Sequence, residues 1–425
     1  MKSRYRWYVT FVFFLFLLFH QADKLLLAPL VTPIMNDFQI NEAQMGAVSS
    51  LAIIVAALLY PLWGYLYDRY ARAKLLSLAS LIWGLTTSLS AIAPTFPTFM
   101  ITRASTGIDD SSYPGLFSLL SDYFEPKLRG KIYGVMQMSG PVGFMLGTIL
   151  ATMLGSSIGW RNVFFITGGV GILVAILIFT TVRDMPRGGA DPELQELDAE
   201  EVSESAEFNW HAVKDLFRNR SLLLLMAQGF FGVFPWYVLS FWFFRYLETE
   251  RFYTPNEAML IMIIAIIALS AGYYLGGSLG DTLFQRNTRG RMIAGSIGVL
   301  TGVFFLFFTM RVPVDQTPLF LVLLALTSLA MSMASPNVIA SVFDITLPEI
   351  RSTAQAIRKL LEDSGAATAP FLAGLIAMNT SLHDAILYIC IGTWIVCAII
   401  FAVLIYVIPS DIEALRLTLR ERASE

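Results

Sequence analysis

Gly64-Tyr65-Leu66-Tyr67-Asp68 ends one apolar stretch of this chain, and Gly277-Ser278-Leu279-Gly280-Asp281 ends another, 213 residues later. Basic residues follow each: Arg69, Arg72 and Lys74 in the first case, Arg286, Arg289 and Arg291 in the second. A second pattern, Asp-x3-Pro-x2-Arg followed by a small residue, also occurs twice. It reads Asp122, Pro126, Arg129 and then Asp344, Pro348, Arg351, an offset of 222. Two patterns repeated in order, at nearly equal offsets, identify a duplicated unit. Glycine at these helix ends is expected to let neighbouring helices approach closely. An aspartate at a helix end can pair with nearby arginine or cap the next helix. Gly64, Asp68, Arg69, Arg72, Asp122 and Arg129, with Gly277, Asp281, Asp344 and Arg351, are therefore read as a conformational latch, its contacts breaking and re-forming as two halves rock. A static clamp is the competing reading.

The medium around this duplication follows from composition. Of 425 residues, 56% are hydrophobic and 14% charged, against roughly 25% charged in a soluble domain. The mean hydropathy is +0.64. A net charge of −3 with no basic block gives no footprint for nucleic acid. A helix needs about 20 apolar residues to cross a bilayer. Twelve such stretches fit between the breaks: 7–35, 42–67, 74–94, 97–122, 130–155, 160–182, 221–247, 256–280, 291–311, 317–343, 352–378 and 382–408. Lys2, Arg4 and Arg6 precede the first, which runs on without a small-residue cleavage site and so reads as a retained span rather than a signal peptide.

Lysine and arginine positions test that assignment. With both termini cytoplasmic, 23 of the 29 fall in inside segments and only Arg161, Arg251 and Arg311 in outside ones, as the positive-inside rule requires. The sequence thus predicts an all-α membrane protein of the cell inner membrane, with twelve transmembrane helices in two pseudo-symmetric six-helix bundles. The bundles cover 1–182 and 221–408, joined by an acidic cytoplasmic linker at 183–220 and followed by a cytoplasmic tail at 409–425. Parallel six-helix repeats are a transporter architecture.

These residues resemble the major facilitator superfamily. Gly64-x-Leu66-x-Asp68-Arg69-x-x-Arg72-x-Lys74 is similar to its signature between helices two and three. Arg103-x-x-x-Gly107 resembles its helix-four pattern, and Gly140-Pro141-x-Gly143 with Gly147 its helix-five motif. Within the superfamily the chain is most similar to the Spinster-like (Spns) branch, which includes lysophospholipid and sphingosine-phosphate transporters. Three places carry that likeness: Asp23-Lys24, the segment from Arg103 to Tyr113, and Arg351-Ser352-Thr353-Ala354-x-Ala356. Lys24 stands where the branch has arginine, and Asp109-Asp110 where it has Gly-Glu. Organic-anion symporters share much of this pattern. The resemblance implies that helices one and four line a central cavity.

An ionisable group within a span costs several kcal/mol, about 2.5–3.5 on insertion scales, and so marks a candidate site. Asp23 and Asp110 are read as proton-titrating carboxylates, with Arg103 and Lys24 as counter-charges, since a carboxylate takes a proton when dry and releases it when a cation pairs with it. Arg103, Gly107 and Asp110 share a helical face, whereas Asp109 points about 100° away, toward a neighbouring helix. His20 and Arg103, together with Phe230, Phe234, Trp236, Tyr237 and Asn337 of the second half, are the candidate substrate contacts: a polar first half and an aromatic second half suit an amphiphile with a charged head. Arg358, Lys359, Glu362 and Asp363 can pair among themselves.

The expectation is a monomeric secondary transporter, proton-coupled, moving a lipid-like or small organic anionic substrate by alternating access, with protons and membrane lipid as its other partners. A sugar-acid or organic-anion symporter and a non-transporting receptor are the alternatives. No enzyme motif is present. With its three histidines on separate segments, no clustered metal ligands and no cofactor are expected.

Overall fold

Proline has no amide hydrogen and its ring collides with the carbonyl four residues earlier. Pro29, Pro114, Pro235 and Pro336 each lie inside a stretch otherwise apolar enough to form one helix, and each breaks it. In the computed structural model, which describes residues 3–110, 112–124, 132, 135–185, 218–346 and 351–424, helix ends fall at Leu25, Asp110, Gly232 and Ser332, three or four residues before those prolines. The broken helices are the first and fourth of each repeat.

The chain divides into two compact units, Met1–Phe208 and Asn209–Glu425. The first contains α1 (Ser3–Leu25), α2 (Leu27–Phe38), α3 (Glu42–Arg69), α4 (Arg72–Ala91), α5 (Phe96–Ser105), α6 (Gly107–Asp110), α7 (Tyr113–Tyr123), α8 (Ser139–Ile158) and α9 (Trp160–Thr181). The second contains α10 (Arg220–Gly232), α11 (Phe234–Thr249), α12 (Pro255–Arg286), α13 (Gly290–Arg311), α14 (Thr317–Ser332), α15 (Ala334–Asp344), α16 (Arg351–Asn379) and α17 (Leu382–Ser424). Joining the pieces across each break gives six helical passes per unit among the described residues, with no strand. The stretch read as a tail continues the last helix: α17 runs on through Pro409 to Ser424.

Several helix starts follow from local chemistry. Asn41 accepts from the Gln44 amide at 2.9 Å while the Gln44 side chain accepts from the Asn41 amide at 3.0 Å. Thr254 and Glu257 form the same reciprocal cap on α12. Each satisfies two amides that the helix leaves open.

Nine of the passes are long and apolar enough to cross a membrane by composition. The other three are α4, the α5–α7 pass and α16. Several of their polar groups are paired with other groups of the protein. In α4, Ser77 and Ser80 donate to the carbonyls of Ala175 and Gly171 in α9 at 2.8 and 2.9 Å. In α16, Arg358 pairs with Glu362, and Lys359 with Asp363 at 2.5 Å, each one turn apart. Leu58, Leu173, Phe179 and Tyr274 are more than 60% exposed, an outer apolar surface suited to lipid.

Close helix contact is found away from the duplicated glycine. A Cβ added to Gly107 would lie 2.1 Å from the Ala52 carbonyl oxygen of α3, and one on Gly276 would lie 2.4 Å from Met333. At Gly64, expected to serve this purpose, an added Cβ would meet no atom of the described residues within 4 Å, and at Gly277 only Pro336 at 3.6 Å. The smallness the packing requires is at mid-helix. Gly107→Leu is expected to cost about 1–3 kcal/mol by overpacking, while Gly64→Ala leaves stability unchanged or slightly higher; thermal melts of both variants in detergent check this.

Candidate functional site

The charged residues of the first unit gather at two of the proline breaks. His20, Asp23 and Lys24 occupy the last turns of α1. Asp109 and Asp110 close the four-residue α6, which is held against α3 by the Trp63 indole, donating to the Ile108 carbonyl at 2.6 Å.

Asp23 is 2% exposed and surrounded by donors. Thr167 donates to its Oδ1 at 2.6 Å and Thr87 to its Oδ2 at 3.0 Å. Arg103 Nη1 stands 3.7 Å from Oδ2, close enough for an ion pair and too far for a hydrogen bond. The guanidinium, 5% exposed, also lies over the Phe164 ring at 5.1 Å. Hydroxyls therefore solvate the carboxylate while arginine balances its charge.

A second group lies beside it. Lys24 Nζ is 2.8 Å from Asp110 Oδ2. His20 Nε2 is 2.5 Å from Asp109 Oδ2 and 3.6 Å from Asp110 Oδ1. The His20 ring packs on Phe16 and against the edge of Trp83. The structure thus places Arg103 beside Asp23 and Lys24 beside Asp110, the four residues read from sequence as carboxylates and counter-charges. Asp109, expected to face a neighbouring helix, faces His20 of α1. His20, read as a substrate contact, is 4% exposed and engaged with both carboxylates. The sequence also gave no sign of a metal-ligand cluster, yet His20, Asp109 and Asp110 place three possible ligand atoms within 4.8 Å of one another. Their separation along the chain conceals it.

Four of the residues read as a latch, Arg72, Asp122, Asp281 and Asp344, fall in two charge clusters, one in each unit. Arg72, 4% exposed, lies 2.6 Å from Asp122 and donates to Ser118 at 3.0 Å and to the Met185 carbonyl at 2.8 Å. Its backbone amide donates to Asp184 at 3.0 Å. In the second unit Arg291 bridges Asp344 and Asp281, the latter at 3.1 Å. Asp184 is not named by either repeat, and Arg291, one of the basic residues after Asp281, is not among the residues read as a latch. Arg72 follows its aspartate by four residues and Arg291 by ten, which hides the equivalence. Arg69 takes no part in this cluster: its guanidinium lies 4.5 Å from the centroid of its neighbour Tyr65. Arg129 and the side chains of Asp68 and Arg351 lie outside the described residues.

In the second unit Phe230, Phe231 and Phe234 form a ring cluster with centroids 5.1–6.5 Å apart, and Trp236 and Tyr237 are half-buried. Asn337 departs from its expected role. Both of its amide hydrogens are committed, to Gly276 at 2.8 Å and Met333 at 2.9 Å. It caps the carbonyls around the α14–α15 break and has no donor left for a ligand.

The model of the Major Facilitator Superfamily matches residues 12–314 and 254–423. This chain belongs to that superfamily. It is 26% identical over 392 residues to protein spinster of Drosophila melanogaster, covering 90% of this chain and 63% of that protein. Against protein spinster homolog 1 of Mus musculus it is 27% identical, with 85% and 71% covered. The cis,cis-muconate transport protein of Acinetobacter baylyi is 27% identical over 66% of this chain and 68% of its own length. The fold is shared with a bacterial homolog of the human lysosomal transporter Spinster (TM-score 0.80, 19% identity, 97% of this chain and 98% of that one). It is also shared with a D-xylose-proton symporter (TM-score 0.73, 19% identity, 93% and 97%). The chain is therefore a superfamily transporter, not an enzyme, and the Spinster likeness read from its motifs agrees with these relatives.

Arg72→Ala would leave Asp122 buried without its cation, at a cost of about 3–5 kcal/mol. Arg69→Ala, an exposed position, should fall within about 0.5 kcal/mol of the parent. Parallel thermal or chemical denaturation of the two variants distinguishes them.

Proposed function

We propose that this transporter couples proton movement to that of an amphiphilic or small organic anion through Asp23 and Arg103, with Asp110 and Lys24 as a supporting pair. The observation that carries this reading is the Asp23–Arg103 contact: a buried ion pair at 3.7 Å whose arginine makes no hydrogen bond through Nη1 among the described residues. An anion arriving at Arg103 takes the counter-charge away from Asp23. A carboxylate left dry and unpaired binds a proton more tightly, so anion and proton load together. Loss of the proton restores the Asp23–Arg103 pair and expels the anion. Alternating access would present the loaded and unloaded states to opposite sides of the membrane, with the Arg72 and Arg291 clusters acting as latches. Phe230, Phe234, Trp236 and Tyr237 are proposed as contacts for an apolar chain.

A small dicarboxylate is the second reading. It is favoured by the likeness to the muconate transport protein and by the presence of two cations, Arg103 and Lys24, within one unit.

Proteoliposomes with an imposed pH gradient test both readings, using a labelled lysophospholipid and labelled cis,cis-muconate. Uptake of one substrate should rise with the gradient, and Asp23→Asn should abolish that dependence with at least a tenfold loss of gradient-driven uptake, about 1.4 kcal/mol. If no substrate responds to the gradient and Asp23→Asn transports normally, coupling through Asp23 is wrong.

A further inference from the structure

Three buried carboxylates stand close together in the first unit. Asp23 lies beside Arg103 and Asp110 beside Lys24, while Asp109, 1% exposed, faces the His20 imidazole and shares a proton with it. Such a proton can give way to a metal cation, because an imidazole nitrogen and a carboxylate oxygen are both ligand atoms. His20 Nε2, an Asp109 oxygen and an Asp110 oxygen lie within 4.8 Å of one another. Asp109 Oδ1 and Asp110 Oδ1 have no hydrogen-bond partner among the described residues. It is this same Asp110 Oδ1 that faces His20 Nε2 at 3.6 Å, while Oδ2 of the carboxylate holds Lys24.

We propose that His20, Asp109 and Asp110 bind a divalent first-row transition-metal cation. One imidazole nitrogen and two carboxylate oxygens form a donor set suited to such ions. Metal–ligand bonds of about 2.0–2.2 Å place ligand atoms about 3–4 Å from one another. The His20–Asp110 separation already meets this, and the His20–Asp109 contact opens when the ion replaces the proton between them. The Lys24 side chain is 37% exposed. It can turn toward solvent as the ion enters, so that the ion's two charges replace those of the lysine and of the proton. This site is distinct from the Asp23–Arg103 pair and does not depend on the proposed coupling.

The test uses the full-length, tag-free protein in detergent, titrated with Zn²⁺ by calorimetry and with Mn²⁺ by electron paramagnetic resonance. One saturable, chelator-reversible equivalent per chain is expected, with histidine-nitrogen modulation in the Mn²⁺ echo signal. His20→Gln should remove that modulation and weaken binding by more than about tenfold. Asp109→Asn, which preserves shape, should weaken it similarly and keeps the test open if His20→Gln does not fold. His383→Gln should bind like the parent. The proposal is overturned if no saturable binding is found up to millimolar metal, or if binding survives in His20→Gln and Asp109→Asn unchanged. Transport is not measured, so failure of the coupling reading would leave this result standing.

Discussion

Removing a carboxylate from water costs several kcal/mol unless cations and hydrogen-bond donors replace its hydration, and the first unit is arranged around that requirement. Asp23 draws two threonine hydroxyls from α4 and α9 and a guanidinium from α5. Three helices are thereby fixed about one side chain of a fourth. The same demand explains why α4 is rich in serine and threonine although it lies in a membrane protein. Its hydroxyls donate to carbonyls of α9 and to Asp23, so that polar groups are present but seldom unpaired. The position of the site follows as well. Proline breaks at Pro29 and Pro114 interrupt the helical hydrogen-bond ladder beside Lys24 and Asp110, and irregular backbone at membrane depth is tolerated where protein groups surround it.

The duplication repeats the framework and not the site. Both units break their first and fourth passes at proline, and both place an arginine between aspartates: Arg72 with Asp122 and Asp184, Arg291 with Asp344 and Asp281. In the second unit the fourth-pass break is filled by the neutral Asn337, where the first unit has two carboxylates. A neutral amide caps carbonyls without needing a counter-charge, so that break can be apolar around it.

Much of this was legible from the chain. The spans, the repeat and the ionisable residues Asp23, Lys24, Arg103 and Asp110 within the spans depend on hydropathy, charge placement and residue order, all of which are local or periodic. What is not legible depends on which passes meet. His20 and Asp109 are 89 residues apart, and no local pattern shows that they face each other. Arg291 stands ten residues after Asp281 where Arg72 stands four after Asp68, which hides its place in the cluster. Gly64 has the residue type that close packing favours, but close approach is set by which helix face meets a neighbour, and the face that does so carries Gly107. Asp184 follows the sixth pass, and nothing in its own sequence context indicates that it reaches the amide of Arg72.

The distribution of ion pairs gives the two units different mechanical properties. In α16 the pairs Arg358–Glu362 and Lys359–Asp363 are one turn apart on a single helix. Any rigid movement of α16 carries both partners together, so such pairs report nothing about the arrangement of helices. In the first unit a group of pairs crosses between passes: Asp23 with Arg103, and His20 with Asp109 and Asp110, join the first pass to the fourth, and Lys24 extends the same seam. A shift of about an ångström between these two passes changes the spacing of all these pairs at once. Because interaction energy between charges varies inversely with distance and is weakly screened where water is excluded, a small displacement there changes the interaction energy of the whole group. Residues that must sense a ligand have to be paired across an interface that the ligand can displace, and in this chain only the first unit pairs its buried carboxylates that way among the described residues.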